Sequence, residues 1–441
     1  VRRAQDVSEI VRWRLCLGCG ACGAFRPEIR LSDYVDEGIR PLCSDVKREA
    51  LREALRVCPV AGLEPPQRTE RCDSSLFADF GPVLEVWEGH ATDPDIRFRG
   101  SSGGALTALS LYCLERLGWH GVLHTGADPE EPVRNRTRLS RTRAELLAGC
   151  GSRYSPASVC DGLGLIAQAA GPCVLVGKPV EIAAARKATQ VWPELRDKLG
   201  LLLSFFCAET PATRATLELL ARLGLGPGDV NQLRYRGLGW PGSFAVWRDG
   251  GGMPVAQMAY RESWGFLQAY RPWATRIWPD GTGELADISC GDPWYEEPDG
   301  LNAGFSLVVV RTEQGRKIVQ GARVAGYVEL RRAEAWKLRK SQAGLAQKKG
   351  EVYGRLLVQR YLGLPAPSFP GWNLFHCWLG LPTSEKLRST LGTVRRIIKR
   401  RLWCPFEPAD VTSEPVKPPC FAEELGIEAE MSGGTFRKSL Q

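Results

Sequence analysis

The sequence predicts an α/β protein, mixed α+β in detail. It comprises a Cys-rich amino-terminal module, a central α/β domain on a mixed sheet and a basic, mostly helical carboxyl-terminal region. Three observations predict this. Residues 1–75 hold six of the fifteen cysteines (Cys16, Cys19, Cys22, Cys43, Cys58 and Cys72) and few long periodic segments. From about residue 76 to 330, short apolar runs alternate with segments of helical period, the signature of βα units and parallel strands. Within the remainder, 331–441, positions 381–401 carry seven Lys or Arg against the single acid Glu385.

The elements follow in order. Residues 63–75 read as a linker, and 104–117 as a helix followed by a strand at 121–126. A buried-type strand at 173–177 leads into a helix from Val180. A second apolar strand at 201–207 precedes a helix over 211–224, which has Pro211 at its first turn. Segments 233–237, 244–258 and 304–317 show strand alternation and Gly-rich hairpin signals. The Pro-rich, polar stretch after Cys404 is expected to be a mobile tail.

Composition bounds the function. A chain of 441 residues, 44% apolar and 24% charged, is neither disordered nor fibrous nor a polytopic membrane protein. A net charge of +8 on this length does not argue for nucleic acid. Asp6 and Glu9 interrupt what would be the apolar core of a secretory signal, and the run at 199–208 is too short to span a bilayer. The expectation is a cytoplasmic protein without a transmembrane segment, in a reducing compartment where clustered Cys serves metal or redox chemistry.

The sharpest local signal is CLGCGAC, with Cys16, Cys19 and Cys22 at two-residue intervals. Glycines between them let a short loop wrap a cubane and leave backbone N–H groups free for its sulfides. The bacterial ferredoxin run places a fourth Cys three residues on, before Pro. Here that position is Arg26, so the fourth ligand must be remote. Cys58, followed by Pro59, is the leading choice, ahead of Cys43 and Cys72. One [4Fe-4S] cluster is expected. A structural zinc site and inert thiols are the alternatives, although zinc favours paired C-x2-C knuckles.

Two further segments suggest a ligand pocket. In FRGSSGGALTAL, Ser101, Ser102, Gly103 and Gly104 open a helix, where unpaired N–H groups and the helix dipole favour a phosphate. An ordinary serine N-cap is the other reading. In GPCVLVGKP, Lys178 stands at the carboxyl end of a strand, where open α/β sheets bind ligands. A solvated surface lysine is the other reading. The dinucleotide fingerprint G-x-G-x-x-G, H-E-x-x-H and G-x-S-x-G are all absent. Of four histidines only His124, at a strand end, falls near a pocket, and a satisfied core histidine is the stronger reading.

Taken together the motifs resemble the beta-subunit family of coenzyme F420 hydrogenases and dehydrogenases, in its bacterial branch. The matching stretches are CLGCGAC (16–22), the Cys58-Pro59 dipeptide, SSGGALTAL (101–109), GSRYSP (151–156) and VGKP (176–179). FFCAETP (205–211), YRGLGWPG (235–242), ADISCGDPW (286–294) and SLVVVRTEQG (306–315) follow in the same order. The resemblance implies an FAD-binding α/β domain with a [4Fe-4S] module ligated by Cys16, Cys19, Cys22 and Cys58. It places the cofactor against Ser101, Ser102, Gly103, Gly104, Thr107, Ser152, Tyr154, Arg236, Gly237, Trp240, Gly291 and Asp292. Lys178, Arg153 and Cys207 are the expected catalytic residues. Family members commonly have Cys where this chain has Val180, which leaves no second cluster expected.

The implied function is an oxidoreductase exchanging hydride at FAD and single electrons through the cluster. It implies a small-molecule substrate and coenzyme F420 or another reduced donor. A ferredoxin-like protein or second subunit is the implied electron partner, and a homo-oligomer is among the expected assemblies. The alternative is a non-catalytic electron-transfer subunit docking on a partner enzyme. A nucleic-acid or membrane-surface binder using the basic stretch 391–401 is a third reading, and a solvated basic face is the simpler account.

Overall fold

The computed structural model describes residues 4–249, 252–297, 303–407 and 412–426. Among them fifteen strands form three sheets. The amino-terminal module contains β1 (Leu31–Tyr34) and β2 (Gly38–Pro41). The centre contains β3 (Glu85–Ala91), β4 (Gly121–Ala127), β5 (Asn135–Ser140), β6 (Cys173–Gly177), β7 (Leu199–Phe205), β8 (Gln232–Arg234) and β9 (Ser243–Trp247). It continues with β10 (Ala256–Ala259), β11 (Ile288–Gly291), β12 (Ser306–Val310) and β13 (Val328–Arg332). Last come β14 (Ser413–Pro415) and β15 (Cys420–Phe421).

The main sheet has nine strands in the order β13-β3-β12-β11-β7-β6-β4-β5-β15. Its middle, β4, β6, β7 and β11, is parallel, and β12, β3, β13 and β5 join antiparallel. The sheet is mixed, as expected, but the hairpin segments at 233–237 and 244–258 do not join it; they form the separate antiparallel sheet β10-β9-β8. Val174, Leu175, Leu201, Leu202 and Leu203 are fully or almost fully buried. Strands covered on both faces read as continuous apolar runs for this reason.

Several boundaries differ from the sequence reading. The strand expected at 201–207 lies at Leu199–Phe205, which leaves Phe206 and Cys207 in the following loop. The helix expected over 104–117 runs as α-helix over Ala105–Leu111 and continues as a wider π turn, Tyr112–Arg116. The stretch 312–317 is not a hairpin arm. Thr312 caps the helix Glu313–Val324, its hydroxyl accepting from Gly315 N at 3.1 Å.

The expected mobile tail is corrected over 412–426. There β14 pairs with β1, β15 pairs with β5, and Lys417 reaches Asp128 at 3.0 Å. Unpaired edges of β1 and β5 give this polar segment backbone partners that composition does not reveal. At its start Phe406 is also held, buried against Tyr34 with its N–H donating to Arg12 O at 2.6 Å, and only 408–411 and 427–441 of that expectation lie outside the described residues.

The helices Ala343–Tyr361 and Thr383–Arg400 dominate the carboxyl-terminal region. One apolar cluster joins Ile10, Leu15 and Val60 to Val180, Ala183 and Trp273, and both sets to Val352, Leu356, Trp372 and Ile397. The three stretches of sequence therefore share a core.

Candidate functional site

The carboxyl ends of β6, β7 and β11 open on a cavity of about 760 Å³. This is where parallel α/β sheets place ligands, because the loops there diverge from the strand ends. Of the residues expected at the site, Ser101, Ser102, Gly104, Thr107, Ser152, Arg153, Tyr154, Lys178, Cys207, Arg236, Gly291 and Asp292 line this one space. Gly103, Gly237 and Trp240 stand outside its lining.

The 101–104 turn is built from backbone constraints. Gly104 has φ +74°, and a Cβ there would approach Ile96 O to 2.8 Å. Gly103 lies against the sheet, where a Cβ would meet Gly89 O at 2.6 Å and Ser306 N at 2.7 Å. Ser306 Oγ receives Gly103 N and pairs with Ser102 Oγ, each at 3.0 Å. Ser101 Oγ accepts from Ser152 N at 2.6 Å, which ties the turn to the 149–155 loop.

Arg236 anchors a second wall. Its Nη1 and Nη2 donate to the two oxygens of Asp292 at 2.9 and 2.6 Å, and Nη2 also donates to Ser101 O at 2.6 Å. Burial works against its charge, but the Asp292 carboxylate outweighs that and holds its pKa well above the ordinary arginine value. Trp240 Nε1 donates to Asp292 Oδ1 at 3.0 Å, so this tryptophan orients the carboxylate. Tyr260 and Trp294 stack at 5.6 Å, and the Arg236 guanidinium lies 4.4 Å from the Tyr260 ring centre.

Lys178 and Arg153 differ from free cations awaiting a ligand. Lys178 Nζ donates to Ala157 O at 2.7 Å and pairs with Glu181 Oε1 at 3.1 Å. Glu181 sits one turn into the helix Pro179–Val191 and accepts from Lys178 N at 2.7 Å and Val159 N at 3.1 Å. Arg153 donates to Asn135 and to the carbonyls of Leu233, Pro132 and Arg134 at 3.1, 2.5 and 3.1 Å. Its guanidinium braces the loop, and burial pushes its pKa down. Cys207 stands on the cavity with its thiol pKa raised by burial, against the pull of Lys178 and Lys348.

The cysteines gather on the other side of Glu181. Cys16, Cys19 and Cys58 pack against one apolar cluster. Burial first, then the neighbouring Cys58, raises the Cys19 thiol, and Glu181 acts on it in the same sense. Burial, then Cys19, Cys16 and Cys58, raises Cys22. Burial and Cys16 push Cys58 up to about 11. Burial and neighbouring thiols raise Cys19, Cys22 and Cys58 alike, which makes these three poor free thiols and, with Cys16 beside them, a suitable set of cluster ligands, because bound iron would take the place of their protons.

Backbone amides face the sulfurs. Gly18 N donates to Cys16 Sγ at 3.4 Å, while amides of Ala21 and of Val60 and Ala61 act on Cys19 and Cys58. Gly20, at φ +88°, lets the loop pass Asp161 N and Ser158 O, where a Cβ would stand 2.7 and 2.8 Å away. Among the described residues no three His, Cys, Asp or Glu converge on a single metal ion. A cubane presents each thiolate with its own iron at a separate corner, so its ligands stand apart. Of the remoter alternatives, Cys43 lies beside Cys16, whereas Cys72 bonds Thr69 Oγ1 at 3.2 Å and neighbours Arg311.

His124 lines the cavity but is satisfied, with Nε2 2.7 Å from Ser140 Oγ and Nδ1 3.2 Å from Thr125 O. Sequence reasoning missed Tyr260, Trp264 and Glu181. The spacing of Glu181 three residues after Lys178 is a capping signal that would have singled it out. Tyr260 and Trp264 sit on a helix, Tyr260–Leu267, whose sequence distance from the other walls hides them.

Comparison with known proteins gives a consistent picture. Residues 86–163 match the family described as coenzyme F420 hydrogenase/dehydrogenase, beta subunit N-term, and residues 172–335 match its C terminus. The coenzyme F420 hydrogenase subunit beta of Methanothermobacter thermautotrophicus is 28% identical over 65% of this chain and 99% of its own length. That of Methanosarcina barkeri is 26% identical over 58% of this chain and 84% of its own. A chain of the F420-reducing [NiFe] hydrogenase complex from Methanosarcina barkeri shares the fold. Its TM-score is 0.53 at 22% identity, covering 66% of this chain and 97% of that one.

Proposed function

Because the chain belongs to the coenzyme F420 hydrogenase/dehydrogenase beta-subunit family, an oxidoreductase-subunit family, we propose that it is an iron–sulfur flavoprotein oxidoreductase. FAD occupies the cavity, and one [4Fe-4S] cluster is held by Cys16, Cys19, Cys22 and Cys58. The observation that carries this reading is Glu181, which is at once a wall of the cavity and an electrostatic neighbour of Cys19. When bound, the flavin supplies two-electron hydride exchange and the cluster one-electron transfer, so one chain joins the two kinds of redox partner.

The chain's own residues bind and orient. Ser101, Ser102 and the Gly103–Gly104 backbone offer donors to phosphate oxygens. Arg236, fixed by Asp292 and through it by Trp240, supplies a buried positive charge beside the flavin wall formed by Tyr154, Gly291, Thr107 and Ser152. Lys178 supplies a second, oriented by Glu181. Arg153 acts as a positioning residue for the 151–155 loop. Cys207 remains a neutral thiol on the wall, since burial keeps its proton in place.

A second reading is an electron-transfer subunit that turns over only on a partner enzyme. The relatives' description as hydrogenase subunits favours it. In either reading the proposed donor is coenzyme F420 or another reduced donor.

Anaerobic purification followed by iron, sulfide, zinc and flavin analysis tests the proposal. About four irons and one flavin per chain are expected. Cys58→Ser is expected to lose the iron and keep the flavin. Zinc in place of iron, or no flavin on denaturation, overturns the reading. Turnover of artificial acceptors by the isolated chain separates the enzyme from the subunit.

A further inference from the structure

One group of cavity walls is left over once the flavin walls are accounted for. It consists of Arg271, Arg276, Lys348, Arg355, Arg388 and Arg396, six cations, against Glu209 and Glu351 in the walls and Glu385 paired with Arg388 just behind them, an excess of three positive charges. The two wall acids are already engaged. Glu209 pairs with Arg271 and Lys348, each at 3.3 Å, and Glu351 pairs with Arg355 and with Arg388 at 3.0 Å.

Four nitrogens of these cations are buried with no hydrogen-bond partner among the described residues, Arg271 Nε, Arg276 Nε, Arg355 Nε and Arg396 Nη1, and of these Arg271 Nε alone has an ion pair, to Glu209. Burial, and the nearby cations Arg271, Arg400 and Arg355, push the Arg276 pKa down to about 10 in spite of Glu209. Buried guanidinium groups are normally paired, because an uncompensated charge away from water is costly. Four of the six cations lie beyond residue 335, where neither family match extends. The chamber is therefore largely a contribution of the carboxyl-terminal helices.

We propose that this cationic chamber binds a phosphate or diphosphate group of the small-molecule substrate, holding the remainder of that molecule in the same cavity as the flavin. The assignment rests on the reading of the cavity as a flavin site. An excess of three charges is more than one carboxylate neutralises, whereas a diphosphate matches both the charge and the forked donors of arginine. The Ser101–Gly104 turn is a separate wall and provides its own phosphate donors, so the flavin does not need the chamber.

The test is calorimetric titration of inorganic pyrophosphate into the full-length, flavin-loaded chain, with Arg396→Gln and Arg276→Gln as variants. Arg396 makes no ion pair among the described residues, so its replacement leaves the Glu209 and Glu351 pairs intact. Saturable binding is expected, weakened about tenfold or more in each variant, the loss of a charge-assisted hydrogen bond, with flavin content unchanged. Absence of binding to the wild-type chain, or wild-type affinity in both variants, overturns the proposal. Loss of flavin from the variants, or competition between pyrophosphate and flavin, also overturns it and gives the chamber to the flavin's own diphosphate. If the wild-type chain carries no flavin, the functional reading fails, while the same titration on that chain still decides whether the chamber takes a diphosphate.

Discussion

His124 shows how a residue at the cavity wall can be chemically quiet. Burial first, then the Arg138 charge, pushes its pKa down to about 3 from 6.5, so it stays neutral in the folded protein. The unfolded chain takes up a proton near pH 6.5, and the folded chain resists until about 3. Between those limits the unfolded state binds more protons, so stability falls as pH falls, by about 1.4 kcal/mol per pH unit for this group. Asp161, raised to about 7 by burial, acts in the opposite sense, losing stability as pH rises toward 7. A difference measurement isolates the histidine. The unfolding free energy of wild type minus that of His124→Gln, from urea titrations, is expected to decline as the buffer moves from pH 7 to 5. A difference independent of pH would show that His124 titrates normally.

At the scale of the element, the 101–104 turn depends on backbone contact more than on side chains. In Gly103→Ala the new methyl meets only backbone atoms, Gly89 O, Ser306 N and Phe305 C, at 2.6 to 2.8 Å. None of these can rotate away, so either β3 and β12 shift or the turn does. The expected cost is roughly 1–3 kcal/mol, read as a lower urea midpoint, accompanied by lower flavin retention. This turn was legible in the sequence because Ser-Ser-Gly-Gly before a helix is a pattern with a physical cause. So were β6 and β7, whose unbroken apolar runs reflect burial on two faces. Strands β3 and β5 were not, because polar side chains are buried among their apolar ones, and β13 was not, because Val328 and Leu330 between exposed charged residues make too short an alternation to stand out. Glu88 in β3 is buried because Lys337 and Arg331 approach it at 2.7 Å, and Glu85 because Arg332 and Arg316 approach at 2.7 and 2.9 Å. Those partners come from more than 200 residues away, so no local window contains the reason for the burial. The cationic chamber escaped notice for the same reason. Arg276 and Arg396 each read as a solvated helix residue until two distant helices bring them together.

At the scale of the whole molecule, the sequence divides into three compositional regions, but the core does not respect the divisions. Trp273 and Trp372 are each about 1% exposed and belong to the same cluster as Ile10 and Leu15. The carboxyl-terminal helices bury part of the surface beneath the cysteine loop, since Cys16, Cys19 and Cys58 pack against that cluster too. Lys349, from the helix Ala343–Tyr361, meets the buried Glu284 at 2.8 Å, so removing that helix also strands a carboxylate. Each buried aliphatic or aromatic side chain left open to water forfeits about 1.5–3 kcal/mol, and stranding half of a buried ion pair costs about 3–5 kcal/mol. Together these exceed the margin by which an ordinary domain is folded. A chain ending at residue 335, where the family match stops, is therefore expected to be insoluble or to lack a cooperative unfolding transition, and to retain no iron. Thermal unfolding of the full chain followed by tryptophan fluorescence, set beside the loss of cluster absorbance, checks the same point without truncation. Coincident transitions are expected if the thiol loop and the carboxyl-terminal helices stand on one core, and a cluster lost well before the tryptophans are exposed would show that they do not.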